Sequence, residues 1–227
     1  MAIQLGKEVP AGQARGMENS CKPDDAQRFW EERYRSVERA WSGRVNPRLA
    51  EVAAGLPAGR ALDLGCGEGA DALWLAERGW QVVAVDISAT ALRRATEAAS
   101  ARNLLAHIDF QQHDLNESFP EGSFDLVSAQ YLHSPARLER DGVLQRAAER
   151  VDRGGVLLIV DHGAPPPWAE HHDGHHFAGI EEVLGSLRLD PPRWTRLRTE
   201  AVDREMLGPN GEVGTMADNI MVLRRDG

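Results

Sequence analysis

Cysteine is almost missing from this chain: Cys21 and Cys66 are the only two in 227 residues. They form neither a disulfide framework nor a C-x-x-C metal pair, so a reducing, cytoplasmic setting is expected. Also missing is any apolar run approaching the roughly 20 residues of a membrane span. The start, "MAIQLGKEVPAGQARGMENS", lacks the apolar stretch of a secretion signal. Basic runs are absent too: 26 Lys and Arg stand against 35 Asp and Glu, a net charge of −9. Proteins that hold phosphate backbones or anionic lipid usually present a cationic face. Nucleic acid and membrane are therefore excluded as expected partners. A monomer or homodimer is expected.

The length fits one domain with a real core. Residues 1–20 hold few large apolar side chains and are expected to be a disordered tail, with Met17 a second candidate for the true start. The single domain then runs over 21–227. A helical segment at 24–56 opens it, in which Trp30 and Tyr34 stand four apart and so share a helix face. Beyond it strand and helix signals alternate: "RALDLGC", "QVVAVD", "HIDFQQHD", "FDLVSAQ" and "GGVLLIVDH" read as strands. Ser88 is placed to cap the helix after the second strand. Ser134, followed by Pro135, is placed to cap the helix after the fourth. Two final strands, "WTRLRTEAVDR" and "TMADNIMVLRR", are joined by the turn "GPNGEV" and should pair antiparallel. The fold expected is α/β, a doubly wound and mostly parallel seven-stranded sheet with an antiparallel C-terminal edge strand.

The stretch "LDLGCGEGADALWLAERGWQVVAVDIS" carries the chemistry. Gly65, Gly67 and Gly69 follow a strand and open a helix, which lets backbone approach a ligand. A nicotinamide fingerprint would read G-x-G-x-x-G; here it is G-x-G-x-G, with Asp63 two residues ahead. A carboxylate at that place repels a pyrophosphate but accepts from an amino group. Asp86, at the end of the second strand, is positioned for two ribose hydroxyls.

With these motifs the chain resembles the class I S-adenosylmethionine (SAM)-dependent methyltransferases, over about residues 29–225. The resemblance implies SAM as cofactor. By it, Asp63 lies near the methionine amino group, Gly65, Cys66, Gly67 and Gly69 shape the loop, and Asp86 and Ile87 hold the ribose. Asp114 and Leu115 in "HDLN" then flank adenine, and Gln130 belongs to "SFDLVSAQYLH", which is similar to motif IV. The segment "FWEERYRSVERAWSGRVNPRL" is similar to the thiopurine- and tellurite-type small-molecule methyltransferases and their actinobacterial relatives. That likeness makes Trp30, Tyr34 and Trp41 an aromatic wall beside a sulfonium. It also favours a thiol or other soft acceptor slightly over the hydroxyl or amine of a specialised metabolite. A non-catalytic SAM- or metal-binding protein is the alternative from another class.

Catalytic candidates are His133, after the fourth strand, and His162, at the end of the fifth; either could take a proton from an acceptor. His162 also opens "HGAPPPWAEHHDGHHF", the start of an expected acceptor-side loop at 162–178. With His171, His172, His175 and His176 it could converge on a divalent transition metal, zinc first. The same histidines also fit a metal-free acceptor pocket or a solvated loop. Cys66 reads as a packing residue, and His107 and His113 as solvated or core-edge.

Overall fold

The protein, described here from a computed structural model, is characterised over residues 23–164, 168, 177–207 and 210–227. Short runs of Val, Leu, Ile and Ala supply five parallel strands: β1 (Arg60–Leu64), β2 (Gln81–Asp86), β3 (Ile108–Gln112), β4 (Phe124–Gln130) and β5 (Val151–His162). Covered on both faces, β2, β4 and the later part of β5 read as near-continuous apolar runs, while β3, at the edge, is only partly buried. Two long strands, β6 (Trp194–Leu207) and β7 (Val213–Arg225), complete a seven-stranded sheet of order β3-β2-β1-β4-β5-β7-β6. β7 runs antiparallel to both β5 and β6, the antiparallel pairing expected from the short connection. Within that edge β6 takes the outermost place.

Side-chain alternation sorts the core into two layers. Leu158 and Val160 of β5 pack with Leu75 of α3 (Ala70–Ala76) and Leu49 of α2 (Pro47–Ala53). Leu157 and Ile159 face the other way, onto Val143 and Leu144 of α5 (Arg140–Glu149) and Val183 of α6 (Ile180–Ser186). Helix α4 (Ala89–Ala101) starts at Ser88, whose hydroxyl accepts from Ala91 N, as its cap position predicts. The sheet order turns outward in both directions from β1 and β4, so a crevice opens above their carboxyl ends.

One expected element differs. The helix after β4 begins at Arg140, not at Ser134. Tertiary partners hold residues 134–139 in an irregular turn: Ser134 Oγ accepts from Trp30 Nε1 at 3.0 Å. Asn116 meanwhile donates to Arg137 O and accepts from Glu139 N. Local capping preference is worth about 1 kcal/mol, and these bonds across the chain outweigh it.

Candidate active site

A cavity of about 900 Å³ fills the crevice, large for a small-molecule site. The sequence-singled residues Trp30, Tyr34, Trp41, Asp63, Gly65, Cys66, Gly67, Asp86, Ile87, Asp114, Leu115, Gln130, His133 and His162 all line it. Gly69 lies just outside, where it opens α3 with φ +81°.

The loop is built around Asp86. One carboxylate oxygen accepts from Gly67 N and the other from Ser88 N, each at 2.9 Å. Gly67 has φ +54°, and a Cβ there would stand 2.9 Å from Tyr34 Oη. No side chain fits between loop and aromatics, so this glycine is sterically required. Asp63 is buried, and its Oδ2 has no hydrogen-bond partner among the described residues. Burial, with Asp71 and Asp86 adding their charge, raises its carboxyl well above the usual range. Burial likewise lifts Asp71 and Asp86 to about 6, against the backbone N–H groups that favour their ionised forms. Two buried acids and the half-buried Asp71 line the cavity, one of them with an unmet acceptor, and together form a receptor for a cationic amine. The donor set therefore fits SAM. Cys66 is half-buried, and burial pushes its thiol up, away from nucleophilic use.

Segment 23–46 closes one wall. Helix α1 (Pro23–Arg35) stacks Trp30 against Tyr34, with ring centroids 6.2 Å apart, as their four-residue spacing predicts. Trp41 Nε1 donates to Tyr34 Oη at 2.9 Å. Three carboxylates that sequence reading did not single out dock this wall. Glu31 sits at the start of α4 and accepts from Ser88 Oγ, Thr90 N and Thr90 Oγ1. Burial opposes its charge, but these bonds and Arg35 outweigh that and hold Glu31 down to about 2. Glu68 accepts from Ala40 N and Trp41 N, and Asp71 from Asn46 N. No local spacing announces such pairs, since their partners lie 25 or more residues away. Glu31→Ala should lower the melting temperature by roughly 4–8 °C. That follows from about 2 kcal/mol lost in charge-assisted bonds, at 2–4 °C per kcal/mol for a chain of this size. Differential scanning calorimetry measures it, and an unchanged midpoint would refute this docking.

At the other end stand His133, Tyr131, His162 and Arg204. His162 stacks on Tyr131 with centroids 4.2 Å apart, and its buried Nδ1 has no hydrogen-bond partner among the described residues. Burial, with Arg204 nearby, lowers it to about 4, so it is neutral at physiological pH. Tyr131 has φ +49°, uncommon for a bulky residue and typical of sites where function holds strain. Burial raises its phenol, and the charge of Asp218 adds to this. Asp218 is buried and binds Arg204 Nε at 2.8 Å. His113, expected at the core edge, reaches the cavity rim and bonds Ser118 and Gln111; His107 is tied to Gln81 away from it. Among the described residues no three His, Cys, Asp or Glu side chains are grouped to hold a metal ion. His171, His172, His175 and His176 lie outside the described residues. No described helix is long and apolar enough to cross a membrane.

Comparison with known proteins places this fold and glycine loop. A family model described as a methyltransferase domain matches residues 61–155. An uncharacterized methyltransferase of Synechocystis is 31% identical, covering 63% of this chain and 69% of its own. A 2-heptyl-1-hydroxyquinolin-4(1H)-one methyltransferase of Mycobacteroides abscessus is 33% identical over 56% of this chain, which spans only 58% of that relative. Thiocyanate methyltransferase 1 of Brassica oleracea is 28% identical over 71% of this chain and 79% of its own. Among solved structures, that of the conversion of a disulfide bond into a thioacetal group during echinomycin biosynthesis superposes with a TM-score of 0.68. It is 25% identical over 88% of this chain and 91% of that one. The chain belongs to the class I SAM-dependent methyltransferases.

Proposed function

We propose that this protein transfers the methyl group of SAM to a small-molecule acceptor, with a thiol or other soft nucleophile favoured. The observation that carries the reading is the buried, unpartnered Asp63 oxygen beside Asp86 at the head of the cavity. In this reading Asp63 receives the α-ammonium, and Gly65, Gly67 and Gly69 shape the loop against the methionine chain. Asp86 and Ile87 hold the ribose, and Asp114 and Leu115 flank adenine. Trp30, Tyr34 and Trp41 close the wall. When bound, SAM supplies a methyl group on a sulfonium, an activated electrophile. The chain's own work is then to align the acceptor, exclude water and take a proton.

The soft-nucleophile preference draws on the thiocyanate methyltransferase and on the sulfur chemistry of the echinomycin structure. The hydroxyquinolinone relative supports a hydroxyl acceptor as the alternative. Purified protein incubated with SAM and a panel of thiols, selenols, phenols and amines should form S-adenosylhomocysteine fastest with a thiol or selenol. Fastest turnover of a phenol would move the assignment to a hydroxyl acceptor. Cofactor binding with no turnover of any class would leave a SAM-binding protein.

A further inference from the structure

The turn after β4 carries His133 on an unusually determined backbone. Tyr131 N donates to Val160 O, the left-handed Tyr131 reverses the chain, and His133 N donates back to Tyr131 O at 2.8 Å. Beneath the ring lies Asp161, 2% exposed, with its Oδ1 3.2 Å from His133 Nε2. Arg140 ties both parts together. Its Nη2 stands 2.6 Å from each Asp161 oxygen, and its Nε donates to Leu132 O, one residue before the histidine. Sequence reading singled out neither Asp161 nor Arg140.

Asp161 must be ionised to serve the ring, and its partners favour that form. Burial alone would raise its carboxyl, but bonds from His133 and Arg140 hold it below the usual range. An ionised carboxylate accepts only, so Nε2 must carry the hydrogen. A neutral ring then keeps a lone pair on Nδ1, which has no hydrogen-bond partner among the described residues while the side chain, 41% exposed, lines the cavity. A carboxylate buried behind a histidine whose other nitrogen is free is the arrangement of an oriented general base. Charged and titratable groups near the ring include Asp161 and His162 on β5 and Arg140 on α5, with Tyr131 and Arg204 at the same end of the cavity.

We infer that Asp161 and Arg140 are positioning residues that hold His133 as the proton acceptor, and that the physiological acceptor arrives as a protic X–H species, a thiol or hydroxyl, not a preformed inorganic anion. This rests on the methyl-transfer reading for its substrate half only. In balanced form, the acceptor's X–H bond breaks and its proton goes to His133 Nδ1, then to water. The X electron pair forms the bond to the incoming methyl carbon, whose former pair stays on the cofactor sulfur. An anion such as thiocyanate has no proton to lose and would gain nothing from this base.

Two measurements test it. Histidine side-chain ¹⁵N NMR at pH 8 should show His133 of the resting protein in the Nε2–H tautomer, shifting to a mixture in Asp161→Asn. An Nδ1–H tautomer, or no change in the variant, overturns the positioning. In turnover, Asp161→Asn and His133→Gln should each lose about 100-fold in kcat with an aliphatic thiol, of ordinary pKa near 8.5, as expected for one general base. KM for SAM should stay unchanged. The loss should shrink below about 5-fold with pentafluorothiophenol, an acceptor already ionised at that pH. Equal losses for both acceptors overturn the proton-transfer role. If the wild type turns over nothing, the methyl-transfer reading falls and the proton-transfer role with it, while the tautomer result still decides the positioning.

Discussion

Asp86→Ala is expected to weaken S-adenosylhomocysteine binding about 100- to 1000-fold, measured by isothermal titration calorimetry. Asp86 is the pivot of the loop: its two oxygens already hold Gly67 N and Ser88 N at 2.9 Å. Each oxygen retains a lone pair for a ribose hydroxyl. Hydrogen bonds to a charged group contribute about 1.5–3 kcal/mol each, and every 1.4 kcal/mol is a factor of ten. Two of them lost at the lower end of that range, about 3–4 kcal/mol together, give the 100- to 1000-fold stated. The alanine also frees two loop N–H groups, which lets the loop relax away from its binding shape. Asp86→Asn, which keeps one acceptor oxygen, should lose only about 10-fold. Unchanged affinity in the alanine variant would sink the ribose assignment.

Affinity for SAM should also collapse in acid, by about one decade per pH unit below 6 for each proton that binding displaces. Asp71 and Asp86 are lifted to about 6, chiefly because they are buried, and burial also raises Asp63, with Asp71 and Asp86 adding to it. A ligand bearing an ammonium and a sulfonium binds the ionised acids, so protonation competes with it. Calorimetry in buffers of different ionisation enthalpy should detect proton release below pH 6 and none at pH 8. A pH-independent affinity from 5 to 8 would refute the link.

The stability counterpart has a defined sign. A carboxyl raised from 3.8 to about 6 makes the folded state the better proton binder between those values, so its contribution falls as pH rises through that window. Asp71→Asn removes this and keeps the acceptor for Asn46 N. Its melting temperature relative to wild type should therefore climb as pH rises from 4 to 7. Glu31 does not interfere: its folded value near 2 makes its contribution complete above about 4.5. His162, lowered to about 4, acts in the opposite direction. Being the same in both proteins, it cancels in the difference.

Much of the cofactor end was legible because local physics dictates it. Glycines at 65, 67 and 69 turn a strand into a helix, and Asp63 and Asp86 lie on strand ends fixed by buried runs of Val, Leu and Ala. Trp30 and Tyr34 share a face because a helix repeats every 3.6 residues. Each of these is a spacing of a few residues, and spacing survives in a bare sequence.

The acceptor end was not legible, and the reason is equally physical. His133 and His162 read as candidates, but their difference in environment comes from partners on other elements: Asp161 and Arg140 for one, Tyr131 and Arg204 for the other. The docking acids Glu31, Glu68 and Asp71 look like ordinary surface charge along the chain, because their partners lie on distant segments. Ser134 shows the same limit from the other side. Its sequence favours a helix cap, and its hydroxyl does accept from Ala136 N, but it also accepts from Trp30, 104 residues away, and the helix starts only at Arg140. The sequence by itself determined the strand order's raw material, the glycine loop and the two acids of the proposed cofactor site. The tertiary structure alone decided which histidine is backed by a buried carboxylate and which is buried neutral, because burial and charge partners are properties of packing across the sheet.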